Sequence, residues 1–154
     1  MKETARIANQ LERAYSGKAW HGPSLRFVLR GISAEQAAKR PIPGAHTIWE
    51  LVLHAAAWDR VACQRILGGK TTSLPPNQNF PVVADTSPAA WKKALKELET
   101  QHRALAAAMR QFPDAKLDHK LGGGDYSYYI TMHGAVQHDL YHAGQIAILK
   151  KLVK

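Results

Sequence analysis

Apolar positions recur along this chain with the spacing of helices rather than strands. Between Thr4 and Tyr15, the residues Ile7, Leu11, Ala14 and Tyr15 follow at intervals of four, three and one, so they share one stripe, and Ser16-Gly17 ends the segment. Pro23-Ser24 opens a short piece whose apolar face is Leu25, Val28 and Leu29. Ser33-Ala34-Glu35-Gln36 has the capping-box pattern that starts one more short turn. After Pro41-Ile42-Pro43-Gly44, a nearly continuous apolar run predicts a second main helix from about Ala45 to Leu67, buried on more than one side and closed by Gly68-Gly69.

The stretch from Lys70 to Thr86 holds Pro75, Pro76, Pro81, Asn77 and Asn79 and reads as a long surface loop. Ser87-Pro88 then starts a third helix. Its seam is Trp91, Leu95, Leu98, His102, Leu105, Met109 and Phe112, spaced alternately by four and three, and Pro113 stops it. Gly122-Gly123-Gly124 forms a turn before a fourth helix from about Ser127 to near the C-terminus. The pattern predicts an all-α protein: an up-down four-helix bundle with additional short helices, as one domain across residues 1–154.

Composition fits that picture. In 154 residues, 45% are hydrophobic and 21% charged, which is ordinary globular usage. No run approaches the roughly 18 apolar residues of a membrane span, and the start lacks the apolar stretch of a signal peptide. Cys63 is the only cysteine, so no internal disulfide is expected and the cytoplasm is the expected compartment. The formal charge of +9 raises the question of nucleic acid. However, the basic residues are scattered, run no longer than pairs such as Lys92-Lys93, and are not interleaved with aromatics. Solvated helix faces explain them better than a nucleic-acid surface.

Histidine changes the picture more. It occurs eight times, and His138 and His142 stand four apart on the fourth helix. At that spacing two imidazoles lie on one face, about 6 Å apart along the axis, and can converge on one ion. Spacing alone is weak, because eight histidines supply roughly 0.4 such pairs by chance. Stepping at 100° per residue puts Thr131, Gly134, Ala135, Tyr141, Gln145, Leu149 and Leu152 on the same side as the pair and turns Asp139, Ala147, Lys150 and Lys151 away. Both histidines are therefore expected on the core stripe, where they need partners: a metal ion or hydrogen bonds. His54, in the apolar run Ile48–Trp58, is the candidate third ligand. Cys63 falls about 180° from it, which argues against a thiolate ligand. Three imidazoles suit zinc, nickel or ferrous iron and leave positions open for chemistry. His102 reads as a packed seam residue, and His133 points about 140° from His138. Trp20 and His21, between glycines, could line a pocket mouth or pack as loop aromatics.

The string His138-Asp139-Leu140-Tyr141-His142-Ala143-Gly144-Gln145-Ile146 resembles the signature of the DinB-like superfamily, and His54 in Trp49–His54 matches the histidine that family carries on its second helix. Pro41–Gly44 and Trp20–Ser24 resemble one branch of it. The resemblance implies a bundle with a three-histidine site for one divalent ion, often in a dimer, and relatives that join a low-molecular-weight thiol to an electrophile. The expectation that follows is a metal-dependent S-transferase acting on a small-molecule substrate, with His54, His138 and His142 as ligands. Gln145 and Tyr141 would orient substrate or ligands, and Trp20, His21 and Trp58 would shape the pocket. The rivals are a non-catalytic metal-binding or stress-response module, a metal-dependent hydrolase, and a plain helical interaction protein. No glutamate stands where a His-Glu-x-x-His protease needs one; Asp139 follows His138, on another face.

Overall fold

A computed structural model describes residues 1–154. Seven α-helices and no strand make up the fold: α1 Glu3–Tyr15, α2 Leu25–Leu29, α3 Ala34–Ala38, α4 Ile48–Gly68, α5 Pro76–Asn79, α6 Pro88–Gln111 and α7 Tyr128–Leu152. The four long ones form the bundle. Local chemistry sets their starts. The Thr47 hydroxyl accepts from the Glu50 amide while the Glu50 carboxylate accepts from the Thr47 amide, a reciprocal box at the head of α4. Ser87 caps α6 ahead of Pro88, and Ser127 caps α7. Gly69, at φ 68°, ends α4 in the left-handed region. Replacing Thr47 by Ala should therefore cost about 1 kcal/mol and lower the melting temperature by roughly 2–4 °C in a chain of this length, as read by circular dichroism.

α1 has no side-chain cap of its own. Asp114, just past the end of α6, supplies one: its carboxylate accepts from the amides of Glu3 and Thr4 at 2.7 and 3.1 Å and from the Thr4 hydroxyl at 2.7 Å. A carboxylate there also suits the positive end of the helix. This contact puts the start of α1 at the end of α6, so the two run antiparallel.

α1 packs against α6 and α7, and α4 packs against the same two. Trp49 and Trp91, each in the first turn of its helix, have ring centroids 5.0 Å apart, so α4 and α6 run the same way. Gly122, shortly before α7, is bonded to Gly69 at the end of α4, which makes α7 antiparallel to α4. The order of directions is thus up-down-down-up. The parallel pair forces the chain between α4 and α6 back along a helix roughly 30 Å long. The Lys70–Thr86 segment does this. It is not wholly irregular: Pro76–Asn79 forms α5, with Pro at the first turn.

The core is split. One apolar cluster includes Leu51, Val52, Ala55, Trp91, Leu98, Ala143 and Ile146. The other includes Ile7, Leu11, Ile66, Leu105, Met109 and Met132. Between them the buried positions turn polar: Asp59 on α4, His102 on α6, and Asp139 and His142 on α7. The apolar character of α4 is spent in the core. The large apolar side chains left exposed on α7 are Tyr129, Ile130, Tyr141, Ile148 and Leu152. No helix is long and apolar enough to cross a membrane.

The buried face of α7 corrects the expectation from stepping around the helix. Met132, Ala135, Asp139, His142, Ala143, Ile146 and Leu149 are buried. Asp139 points inward, and Tyr141 and Leu152, expected inside, are exposed. His138 is half-buried, at the edge of the stripe and not in its middle. The physical reason is that α7 is apolar nearly all round, so hydropathy alone does not select a face.

Candidate metal centre

His54 on α4 and His138 and His142 on α7 come together. His138 Nε2 lies 3.1 Å from His54 Nε2 and 3.0 Å from His142 Nε2. The outer nitrogens have acceptors. His54 Nδ1 donates to the Asn79 carbonyl at 2.8 Å, and His142 Nδ1 donates to the Gln145 amide oxygen at 2.7 Å. A carbonyl oxygen can only accept, so the proton sits on Nδ1 and the Nε2 lone pair faces inward. This is the arrangement by which an imidazole is held as a metal ligand.

Burial reinforces it. Desolvation, then the neighbouring His142 and His54, push the His138 imidazole down to about 3. Desolvation likewise lowers His54 and His142, against the raising effect of their hydrogen bonds. Protonation would place positive charges about 3 Å apart, so the neutral, ligating form is favoured. In metal-free protein, His138 should stay neutral from pH 8 down to about pH 4, where an ordinary histidine protonates near 6.5. The sign follows from the depressed value: protons do not compete for this nitrogen until the pH approaches 3. Histidine side-chain NMR against pH checks this, and titration near 6.5 would contradict it.

The residues fit a divalent ion. Bonds of about 2.1 Å meeting at the right angles of an octahedral ion set their donors about 3.0 Å apart, which matches the separations of His138 Nε2 from His54 Nε2 and His142 Nε2. All three donor atoms lie within 4.8 Å of one another.

The crossover supplies what sequence reasoning missed. α5 brings Asn79 over the site, where its carbonyl holds His54 and its side-chain oxygen accepts from Trp58 Nε1 at 2.8 Å. Phe80 stacks between two imidazoles, with its centroid 4.1 Å from His54 and 3.6 Å from His46. Trp58 stands edge-on to His54 at 6.3 Å and 6.2 Å from His138. Nothing in the local pattern marks Asn79 or Phe80, because their role arises from a long-range return of the chain.

The other expected residues are placed as follows. Gln145 is in direct contact with His142. Tyr141 is largely exposed, its ring 5.2 Å from that of His142. Trp20 is fully exposed and His21 exposed, on the turn after α1, and the structure does not bring them to the three histidines. Cys63 is packed against the other apolar cluster, and its thiol is pushed up by burial. His133 rests on Tyr129, with centroids 4.4 Å apart.

A second group missed from the sequence is Asp59, His102 and Asp139, each at most 2% exposed. Its carboxylates and imidazole could also hold a metal ion. Desolvation and the Asp139 carboxylate push Asp59 up to about 7. Burial lowers His102, but Asp139 and Asp59 outweigh it and leave it at about 9. The available signal was Asp59 itself, a carboxylate in a run otherwise as apolar as 51–62, which needs a partner to be buried.

A model of the DinB superfamily matches residues 20–146, a span that includes all six of these histidines and aspartates. No curated protein and no solved structure matches the chain. On that match, and with a helical bundle that agrees with it, the chain belongs to the DinB superfamily.

Proposed function

We propose that the chain binds one divalent metal ion through Nε2 of His54, His138 and His142, and that it joins a low-molecular-weight thiol to a small electrophile beside that ion. The observation that carries the reading is the pair of Nδ1 hydrogen bonds, to Asn79 and Gln145, which turns the Nε2 lone pairs onto one point. An ion held there would supply Lewis acidity and lower the pKa of a thiol close to it. The thiol sulfur would then bond to the electrophilic carbon, the leaving group would depart with its electron pair, and the thiol proton would pass to solvent.

The chain's own residues would confine that reaction. A cavity of about 250 Å³ is lined by Ile42, Ala45, Leu51, Ile148 and Leu149, with Gln145 and His46 as its polar members. This is below the usual range of roughly 300–1,000 Å³ for drug-sized ligands, so the electrophile it fits is small and mainly apolar. Gln145 both touches His142 and lines the cavity, so it would report substrate position to the ligand. Tyr141 offers an exposed hydroxyl near the same histidine. Zinc, nickel and iron all suit the donors.

The test is a panel of low-molecular-weight thiols with one reactive electrophile, using metal-loaded protein. Metal-dependent conjugation that disappears in His138→Ala supports the reading. Bound metal with no conjugation by any thiol would leave the site as a non-catalytic module.

A further inference from the structure

The mid-bundle polar layer contains a second set of donors. His102 Nδ1 lies 3.5 Å from Asp59 Oδ2 and 3.4 Å from Asp139 Oδ2. Those separations exceed the 2.7–3.2 Å of ordinary hydrogen bonds. Asp59 Oδ2, His102 Nδ1 and both oxygens of Asp139 have no hydrogen-bond partner, although all three residues are at least 98% buried. A carboxylate left so is costly, and a structure rarely keeps several such atoms facing one another without something to satisfy them.

The distances suit a cation. An ion bonded to nitrogen and oxygen at about 2.1 Å with tetrahedral angles sets its donors about 3.4 Å apart. Charge agrees. Two carboxylates and a neutral imidazole balance a divalent ion, whereas a protonated His102 between two ionised aspartates leaves one negative charge buried. One nitrogen and two or three carboxylate oxygens form a donor set for zinc or a similar first-row ion; calcium would want six or more oxygens.

We infer that Asp59, His102 and Asp139 form a second, buried divalent-cation site, of the zinc type, separate from the three histidines. It ties α4, α6 and α7 together at the level where the two apolar clusters part. The ion is structural: no donor here is open to solvent. The sites are neighbours, since Asp59 is five residues from His54, about 7.5 Å along α4, and Asp139 follows His138. Yet no residue is shared. The site lies deeper than the histidine centre, and the cleft nearest to it has Tyr15 and His102 among its lining residues. Tyr15 stacks on the His102 ring, with centroids 4.1 Å apart.

The experiment is metal counting on the full chain. Protein stripped by chelator and refolded in Zn²⁺ is desalted and its zinc measured. The wild type should hold two equivalents. Asp59→Asn should hold one, as should His138→Ala. No zinc in the wild type would overturn the proposal, and so would an Asp59→Asn that holds as much zinc as the wild type. If the histidine centre is the reading at fault, His138→Ala keeps its zinc while Asp59→Asn loses one. Should Asp59→Asn fail to fold, crystals of the wild type grown with Zn²⁺ decide. An anomalous peak among Asp59, His102 and Asp139 at the zinc edge supports the site, and its absence there overturns it.

Discussion

His138→Ala should remove the metal response of the histidine centre. His138 Nε2 is the hub of the cluster, close to both other donor nitrogens. Loss of a group that merely supports a ligand costs roughly 10–100-fold in affinity, so loss of the hub should cost more. Stability shows the effect in a second way. An ion that binds only the folded state at a hundred times its dissociation constant stabilises by about 2.7 kcal/mol. For a chain of this size that is a melting shift of roughly 5–10 °C. The wild type should show this shift when the histidine centre saturates, and His138→Ala should fall short of the wild type by that amount. The variant should still fold, because His138 is only half-buried and sits at the rim of the core. Differential scanning calorimetry with and without metal, on both proteins, measures the difference. An equal shift in both would mean that the ion binds elsewhere.

His102→Leu should be among the most destabilising single changes in the bundle. It leaves Asp59 and Asp139 facing one another with no positive or neutral partner between them, at positions 1% and 0% exposed. Removing one member of a buried charged group costs about 3–5 kcal/mol, since the uncompensated charge remains. In this chain that is a large share of the usual 5–15 kcal/mol of total stability. The comparison to make is Leu105→Ala, a cavity in the same helix, for which about 2–5 kcal/mol is expected. Urea unfolding of metal-free protein gives both numbers. A loss below about 1 kcal/mol for His102→Leu would mean that the two carboxylates share a proton and do not need the imidazole.

What the sequence made legible and what it hid divide along one line. The helix starts at Ser87 and Ser127 were readable because each depends on residues within four positions, whereas the second main helix was expected from about Ala45 and starts only after its Thr47 cap. Also readable was the His138–His142 pair, whose geometry follows from the helix alone. Three things depended on distant chain segments and were not readable. The same direction of α4 and α6 shows only when Trp49 meets Trp91. Asn79 and Phe80 became part of the site because the crossover lies across His54. Asp139 was read as facing away because the stripe was centred on His138, which in fact stands at its edge. It is buried instead because His102 and Asp59, on two other helices, meet it there. Trp20 failed for the opposite reason. An aromatic between glycines suggested a pocket wall, but the turn leaves the ring in solvent.

Ligation of one ion by Nε2 of three imidazoles, with Nδ1 keeping its proton, can be observed atom by atom. Long-range ¹H–¹⁵N spectra of the histidine rings, recorded while divalent metal is added, report which nitrogen is bonded to the ion. Nε2 of His54, His138 and His142 should shift together at one equivalent of that site, with Nδ1 of His54 and His142 still protonated and still hydrogen-bonded to Asn79 and Gln145. Unchanged Nε2 signals for the three residues at saturating metal, or ligation through Nδ1, would contradict it.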